Sequence, residues 1–218
     1  MLDARVQIRR TRLLMGIAEG TAGVLQRHPQ LAGMAHKLAT DFVALLAGNF
    51  SDSTLTIPKD CSYLAHKRKR GLLREFNGRN HIDLARKYGY RVTTVYDVVK
   101  RARELPAEVP RAELMVEVVT YIAHLVAKHG GLAADAAEGI GHEVADFIAE
   151  HFGGILLALS GRYHYGNAVR DVLLLEALED GRLDEQAKAL GLSPDAVQKI
   201  LAGYRNRPEA RTPCAAPA

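Results

Sequence analysis

Between Lys59 and Arg103 the sequence sets thirteen Lys and Arg against four Asp and Glu, a net charge of +9. Lys59, the run Lys67, Arg68, Lys69 and Arg70, and Arg79 fall in this stretch. Charge of that density suits a phosphate backbone and makes binding strongly dependent on salt. Arg91, Thr93, Thr94, Tyr96, Asp97 and Lys100 follow at the spacing of the outward face of one short helix, with Asn80 and His81 upstream. Arg and Lys suit guanine edges and phosphates, and Thr and Tyr reach base edges or phosphates. These residue types in this order point to double-stranded DNA.

Other chemistries find little support. The nine histidines, His28, His36, His66, His81, His124, His129, His142, His151 and His164, show no HExxH-type spacing. Cys61 and Cys214 lie far apart, Cys61 in an expected loop, and neither has a neighbour that would activate a thiol. Gly130-Gly131 and Gly153-Gly154 read as helix ends rather than phosphate cradles, and there is no Walker-type loop. The expectation is a protein that is not an enzyme, with no catalytic residue, no metal and no cofactor. No apolar run is long enough to cross a bilayer, and Met1 to Arg12 lacks a signal-peptide core. A cytoplasmic location is expected, with no membrane partner.

A reading surface of this kind needs a scaffold. In a helix-turn-helix a small residue lets two helices cross closely, a glycine takes the tight turn, and apolar residues three apart hold the second helix inside. Ala85, Gly89, Val95 and Val98 meet those requirements, with a recognition helix expected from about Val92 to Arg103. Ala187, Gly191, Val197 and Ile200 meet them again, each 102 residues later.

The repetition extends upstream. Asp41 to Asn49 and Asp146 to Gly154 both read as amphipathic helices ending at glycine. Each precedes a short β-type run, Leu55-Thr56-Ile57 and Ile155 to Leu159, and then a helix, Lys67 to Phe76 and Asn167 to Leu178. The fold class is therefore mostly all-α, as two tandem units. The first spans 1–104, with helices and strand over 16–58 and the helix-turn-helix over 59–104. A linker with Pro106 and Pro110 occupies 105–112, since proline blocks helix continuation. The second unit spans 113–206, with its helix-turn-helix at about 168–205, and 207–218 reads as a disordered tail.

The two units differ in charge. Met1 to Pro110 carries 19 basic and 10 acidic residues, whereas Arg111 to Ala218 carries 10 and 15. Glu179, Asp180, Asp184, Glu185 and Asp195 would meet phosphates unfavourably. Ser193 can cap the second recognition helix and Pro194 suits its first position, while Arg91 caps poorly. The second unit is expected to be kept for structure rather than for DNA.

Ala47-Gly48-Asn49, Thr56-Ile57-Pro58-Lys59, the stretch from Phe76-Asn77-Gly78-Arg79 to Gly89, and Val95 to Lys100 resemble the middle operon regulator (Mor) and C activators of Mu-like phages. The resemblance covers roughly Gly16 to Glu104. It returns in the second unit through Phe152-Gly153-Gly154 and the helix-turn-helix, without the proline-lysine pair or the basic run. It implies dimeric transcription activators of phage or prophage origin. Their helices form an intertwined dimerisation core and their strands pair between subunits. A helix-turn-helix from each subunit enters the major groove, and host RNA polymerase is a partner. With two units in one chain, the resemblance implies an intrachain pseudo-dimer with a two-stranded β ribbon, favoured over a homodimer because the tethered copy has a high effective concentration. The function expected is a sequence-specific regulator, an activator rather than a repressor. The alternative is an interaction module whose acidic second unit binds a protein partner.

Overall fold

Leu14, Ile17, Val24 and Leu25 recur at helical spacing, and the segment that carries them is one long helix, α1 (Ala4–Gln26), with those four side chains buried. The computed structural model describes residues 4–159 and 163–205; the expected tail and Cys214 lie outside the described residues. After α1 come α2 (Ala35–Asn49), β1 (Thr54–Thr56), α3 (Cys61–Glu75), α4 (His81–Tyr88) and α5 (Val92–Lys100). The same order then repeats as α6 (Glu113–Gly130), α7 (Ala134–Phe152), β2 (Leu156–Ala158), α8 (Tyr165–Glu179), α9 (Leu183–Ala189) and α10 (Pro194–Arg205).

Several boundaries differ from those read in the sequence. The first helix starts at Ala4, well before Gly16. The third starts at Cys61 rather than Lys67, so Cys61 is an exposed helix residue instead of a loop residue. The recognition helix stops at Lys100, and Ala102–Glu104 closes it as a 3-10 turn. Residues 105–112 carry no helix or strand. No helix of the described residues is long and apolar enough to cross a membrane.

One core serves both copies. Leu14, Ile17, Leu38 and Phe42 from the first copy pack with Met115, Ile122, Val144 and Ile148 from the second, all at most 2% exposed. α1 lies against α7 and α2 against α6, so each hairpin buries its apolar stripe on the other. The ribbon closes this arrangement. β1 pairs antiparallel with β2 in the register Thr54↔Ala158, Leu55↔Leu157 and Thr56↔Leu156. The N–H groups of Ile57, Gly154 and Leu159 extend the pairing by donating to the carbonyls of Ile155, Ile57 and Ser53. Leu157 is also the residue 102 positions after Leu55, so the central pair joins a residue to its own repeat equivalent. A two-fold pseudo-axis therefore passes between them, as a symmetric dimer would require of its strands. The chain is an intrachain pseudo-dimer.

The closest helix crossing is between α6 and α7. A Cβ on Gly141 would lie 2.6 Å from the carbonyl oxygen of Val119 and 3.1 Å from its Cα. Backbone cannot give way there, whereas a Cβ on the exposed Gly139 meets nothing within 4 Å. Alanine gains about 1 kcal/mol over glycine in a helix interior, and overpacking costs about 1–3 kcal/mol. Gly139→Ala is therefore expected to stabilise the fold by roughly 0.5–1 kcal/mol. Gly141→Ala, on the same helix, is expected to destabilise it by up to about 2 kcal/mol net. Urea unfolding of the two variants measures both, and equal signs would count against this crossing.

Candidate nucleic-acid interface

α3, α4 and α5 form a small head with its own core of Leu72, Leu84, Ala85, Val95 and Val98. Gly89 takes φ +67° at the end of α4, where its N–H and that of Tyr90 both turn back to the carbonyl of Ala85. A left-handed residue at this point is why the turn calls for glycine. Gly71 lets Tyr88 cross α3, since a Cβ there would stand 2.9 Å from the Tyr88 hydroxyl. That hydroxyl donates to Glu75 at 3.0 Å, and Lys87 bridges the same carboxylate at 2.6 Å. The hydrogen bonds hold the Glu75 carboxyl below its ordinary range.

The turn ahead of α4 is built from two asparagines. Asn77 Oδ1 accepts the N–H groups of Arg79 and Asn80 at 3.1 Å. Asn80 Oδ1 accepts from the N–H of Asn77, and its Nδ2 donates to the carbonyl of Glu75 at 3.0 Å. The Asn80 amide is thus engaged inside the turn, and it shapes the head rather than facing outward as the sequence suggested. His81 is engaged too. Its ring stacks on Tyr96 at 4.0 Å and meets Phe76 edge-on at 4.8 Å. This ladder fixes the outward direction of Tyr96, which remains 55% exposed on α5.

Arg91, Thr93, Tyr96, Asp97 and Lys100 all lie exposed along α5, with Thr94 half-buried. Arg91 precedes the helix in extended conformation and makes no side-chain cap. Exposed Arg79 stands in the turn before α4. The basic run on α3 divides instead. Lys67 pairs with Asp146 and Arg68 with Glu150 at 2.5 Å, both on α7 of the other copy. Arg70 is exposed, and Lys69 is half-buried beside Thr94, Asp97 and Arg101. Lys59 lies across the Gly153-Gly154 turn, where a Cβ on Gly153 would come 2.8 Å from the Lys59 Cα. Two of the cations expected at phosphates, Lys67 and Arg68, therefore pair with acids of the second copy. Periodicity could not find this, because it says nothing about acids 80 residues away.

The second head repeats the geometry with other chemistry. Gly191 takes φ +65°, and Leu192 donates to Ala187 as Tyr90 does to Ala85. Leu174, the equivalent of Leu72, is fully buried beside Val197 and Leu201. Ile200, expected inside, is half-buried and packs against the cluster in which Leu201 is buried. Ser193 Oγ accepts the N–H of Ala196 at 3.3 Å and caps α10. Moving 102 residues along, Arg91 becomes Ser193, Thr93 becomes Asp195, Tyr96 becomes Gln198 and Lys100 becomes Ala202. Asp184, Glu185 and Asp195 are exposed. The helix-turn-helix shape is present twice, with the positions of Arg91 and Lys100 uncharged in the second copy and an exposed Lys199 in place of Asp97.

Comparison with known proteins also finds two tandem copies. The model of the Mor transcription activator family matches residues 8–114 and, separately, residues 109–213. No curated protein and no solved structure matches the chain.

Proposed function

The chain belongs to the Mor transcription activator family in both of its copies, a family of DNA-binding transcription regulators, and from that premise we propose that it reads a DNA half-site with α5 of the first copy alone. The observation that carries this reading is the exchange of Arg91, Thr93, Tyr96 and Lys100 for Ser193, Asp195, Gln198 and Ala202 on an equivalent helix. The first helix offers guanidinium, ammonium and hydroxyl groups to the major groove and its phosphates. The second offers Asp195, whose carboxylate phosphates repel, and has Lys199 where the first has Asp97. Arg79, Arg70 and Lys69 supply backbone contacts around the reading helix, and Tyr96, braced by His81, supplies a rigid edge. The second copy acts as a built-in structural partner. The chain works as a monomeric pseudo-dimer and activates transcription, with RNA polymerase as its partner.

Selection of target DNA followed by hydroxyl-radical footprinting tests this. One strongly protected half-site beside a weakly protected flank is expected, with affinity falling steeply in salt. Five phosphate contacts would give a slope of about −4.5 in log affinity against log salt. Equal protection of two inverted half-sites by a single chain would overturn the one-head reading.

A further inference from the structure

Asp60 stands at the joint between the ribbon and the first head, as the residue immediately ahead of α3. It takes φ +50°, a left-handed conformation uncommon for a residue with a Cβ. It does not cap α3. Its carboxylate turns to Arg111, accepting from Nε at 2.9 Å, and to the N–H of Ala112 at 3.1 Å. Both charged side chains are only 4% exposed. The far side of the guanidinium lies 2.9 Å from Asp146 on α7, Nη1 is 3.1 Å from His142 Nδ1, and the group stands 4.2 Å above the ring of Tyr63 in α3.

An arginine only donates, so His142 Nδ1 accepts and the imidazole is neutral with its proton on Nε2. Burial and the neighbouring guanidinium hold His142 below its ordinary value, which agrees with that tautomer. One side chain at the end of the inter-copy linker thus ties together the joint, the first turn of α3 and the second copy's α7. Leu64 packs on the core and His66 meets the Pro106 carbonyl at 2.8 Å; beyond them the seam between head and core is an open groove of about 900 Å³ bridged by the partly exposed Lys67–Asp146 and Arg68–Glu150 pairs. Exposed pairs of that kind hold geometry weakly. A buried arginine between two carboxylates holds it strongly, because moving any member leaves a buried charge unpaired.

Among the described residues, the joint at the other head also holds a buried arginine over a tyrosine ring, Arg10 at 5.6 Å from Tyr163, but builds it differently. The residue ahead of α8 is the exposed His164, and the counterpart of Tyr63, 102 residues on, is Tyr165. α8 docks on α1 instead through the buried Tyr163 and Tyr165, with the Tyr163 hydroxyl 3.0 Å from Thr11. Burial pushes the Tyr165 hydroxyl up to about 12.

We propose that Arg111, with Asp60 and Asp146, is the positioning residue that sets the reading head at a fixed angle to the ribbon and core, and so determines specific DNA affinity without touching DNA. The inference rests on the reading of α5 as the DNA-contacting helix. Loss of the clasp leaves the cations of the head in place but obliges DNA to order the head on binding, which lowers specific affinity and leaves non-specific affinity alone.

The test uses the full chain carrying Cys61→Ser and Cys214→Ser, with spin labels at Arg86→Cys on α4 and Thr40→Cys on α2. Pulsed electron resonance gives the head-to-core distance distribution, and fluorescence anisotropy gives affinity for the selected site and for random-sequence duplex. In Arg111→Met the distribution broadens, specific affinity falls by about tenfold or more, and random-duplex affinity changes less than about threefold. If Arg111→Met does not fold, Asp60→Asn, which keeps shape and removes one charge, is expected to show the same pattern. An unchanged distance distribution, or unchanged specific affinity, overturns the proposal. Failure of the parent chain to bind any duplex overturns the DNA reading itself, and the distance measurement still decides the clasp.

Discussion

Replacing Arg91 and Lys100 together by alanine should raise the Kd for the selected DNA site by roughly 30- to 1,000-fold while leaving the fold intact. A well-placed arginine on a guanine edge is worth about 1–3 kcal/mol of discrimination. A lysine on a phosphate adds about one unit to the salt slope. Together they remove roughly 2–4 kcal/mol, and each 1.4 kcal/mol is about tenfold. Both side chains are exposed on α5, and neither belongs to the head's core of Leu72, Leu84, Ala85, Val95 and Val98. Surface substitutions of this type change stability by about 0.5 kcal/mol or less. The matched control is Gln198→Ala with Lys199→Ala, both exposed on α10, which should leave affinity unchanged. Anisotropy titrations at two salt concentrations measure all of this. Binding by the Arg91/Lys100 variant within threefold of the parent would remove α5 as the reading helix.

The second large effect concerns the shared core. Phe42 is fully buried on α2, at the centre of a cluster drawn from α1, α2, α6, α7 and the ribbon. Phe42→Ala is expected to cost about 3–5 kcal/mol through lost burial and the cavity left behind. Against a typical total of about 5–15 kcal/mol, that is roughly a fifth or more of the stability. The informative part is where the loss appears. The core belongs to both copies, so urea unfolding should remain a single transition, and amide protection should fall in α6 and α7 as well as in α1 and α2. If α6 and α7 kept the parent's protection, the copies would be separate folding units.

What the sequence disclosed, and what it hid, divides by distance along the chain. Ala85, Gly89, Val95 and Val98 lie within 14 residues, and their spacing alone specifies a close crossing, a left-handed turn and an inner face. Ala187, Gly191 and Val197 repeat that specification. The ribbon was legible because a second β-type run had to pair with something, and its repeat equivalent was tethered nearby. Element ends were read less well. Cys61 to His66 gave no strong apolar period, yet they extend α3 because Tyr63 and Leu64 pack on the core. The candidate interface was overdrawn for a different reason. Lys67 and Arg68 look like free cations until Asp146 and Glu150 arrive from α7. Asn80 looks like a base reader until Asn77 and Glu75 take both ends of its amide. Arg111 looked like any residue after a proline, because the acids that define its role lie 51 residues before it and 35 after.

The pairing of Leu55 with Leu157 has a consequence for how such a protein meters its own action. Two separate subunits must first find each other, so at low abundance the number of assembled pairs rises with the square of the subunit level. Strands joined by one polypeptide meet at an effective concentration of about millimolar whatever the cell supplies. For the monomeric pseudo-dimer proposed above, occupancy of a target then rises in simple proportion to the number of chains, from the first copies made, with no threshold to cross.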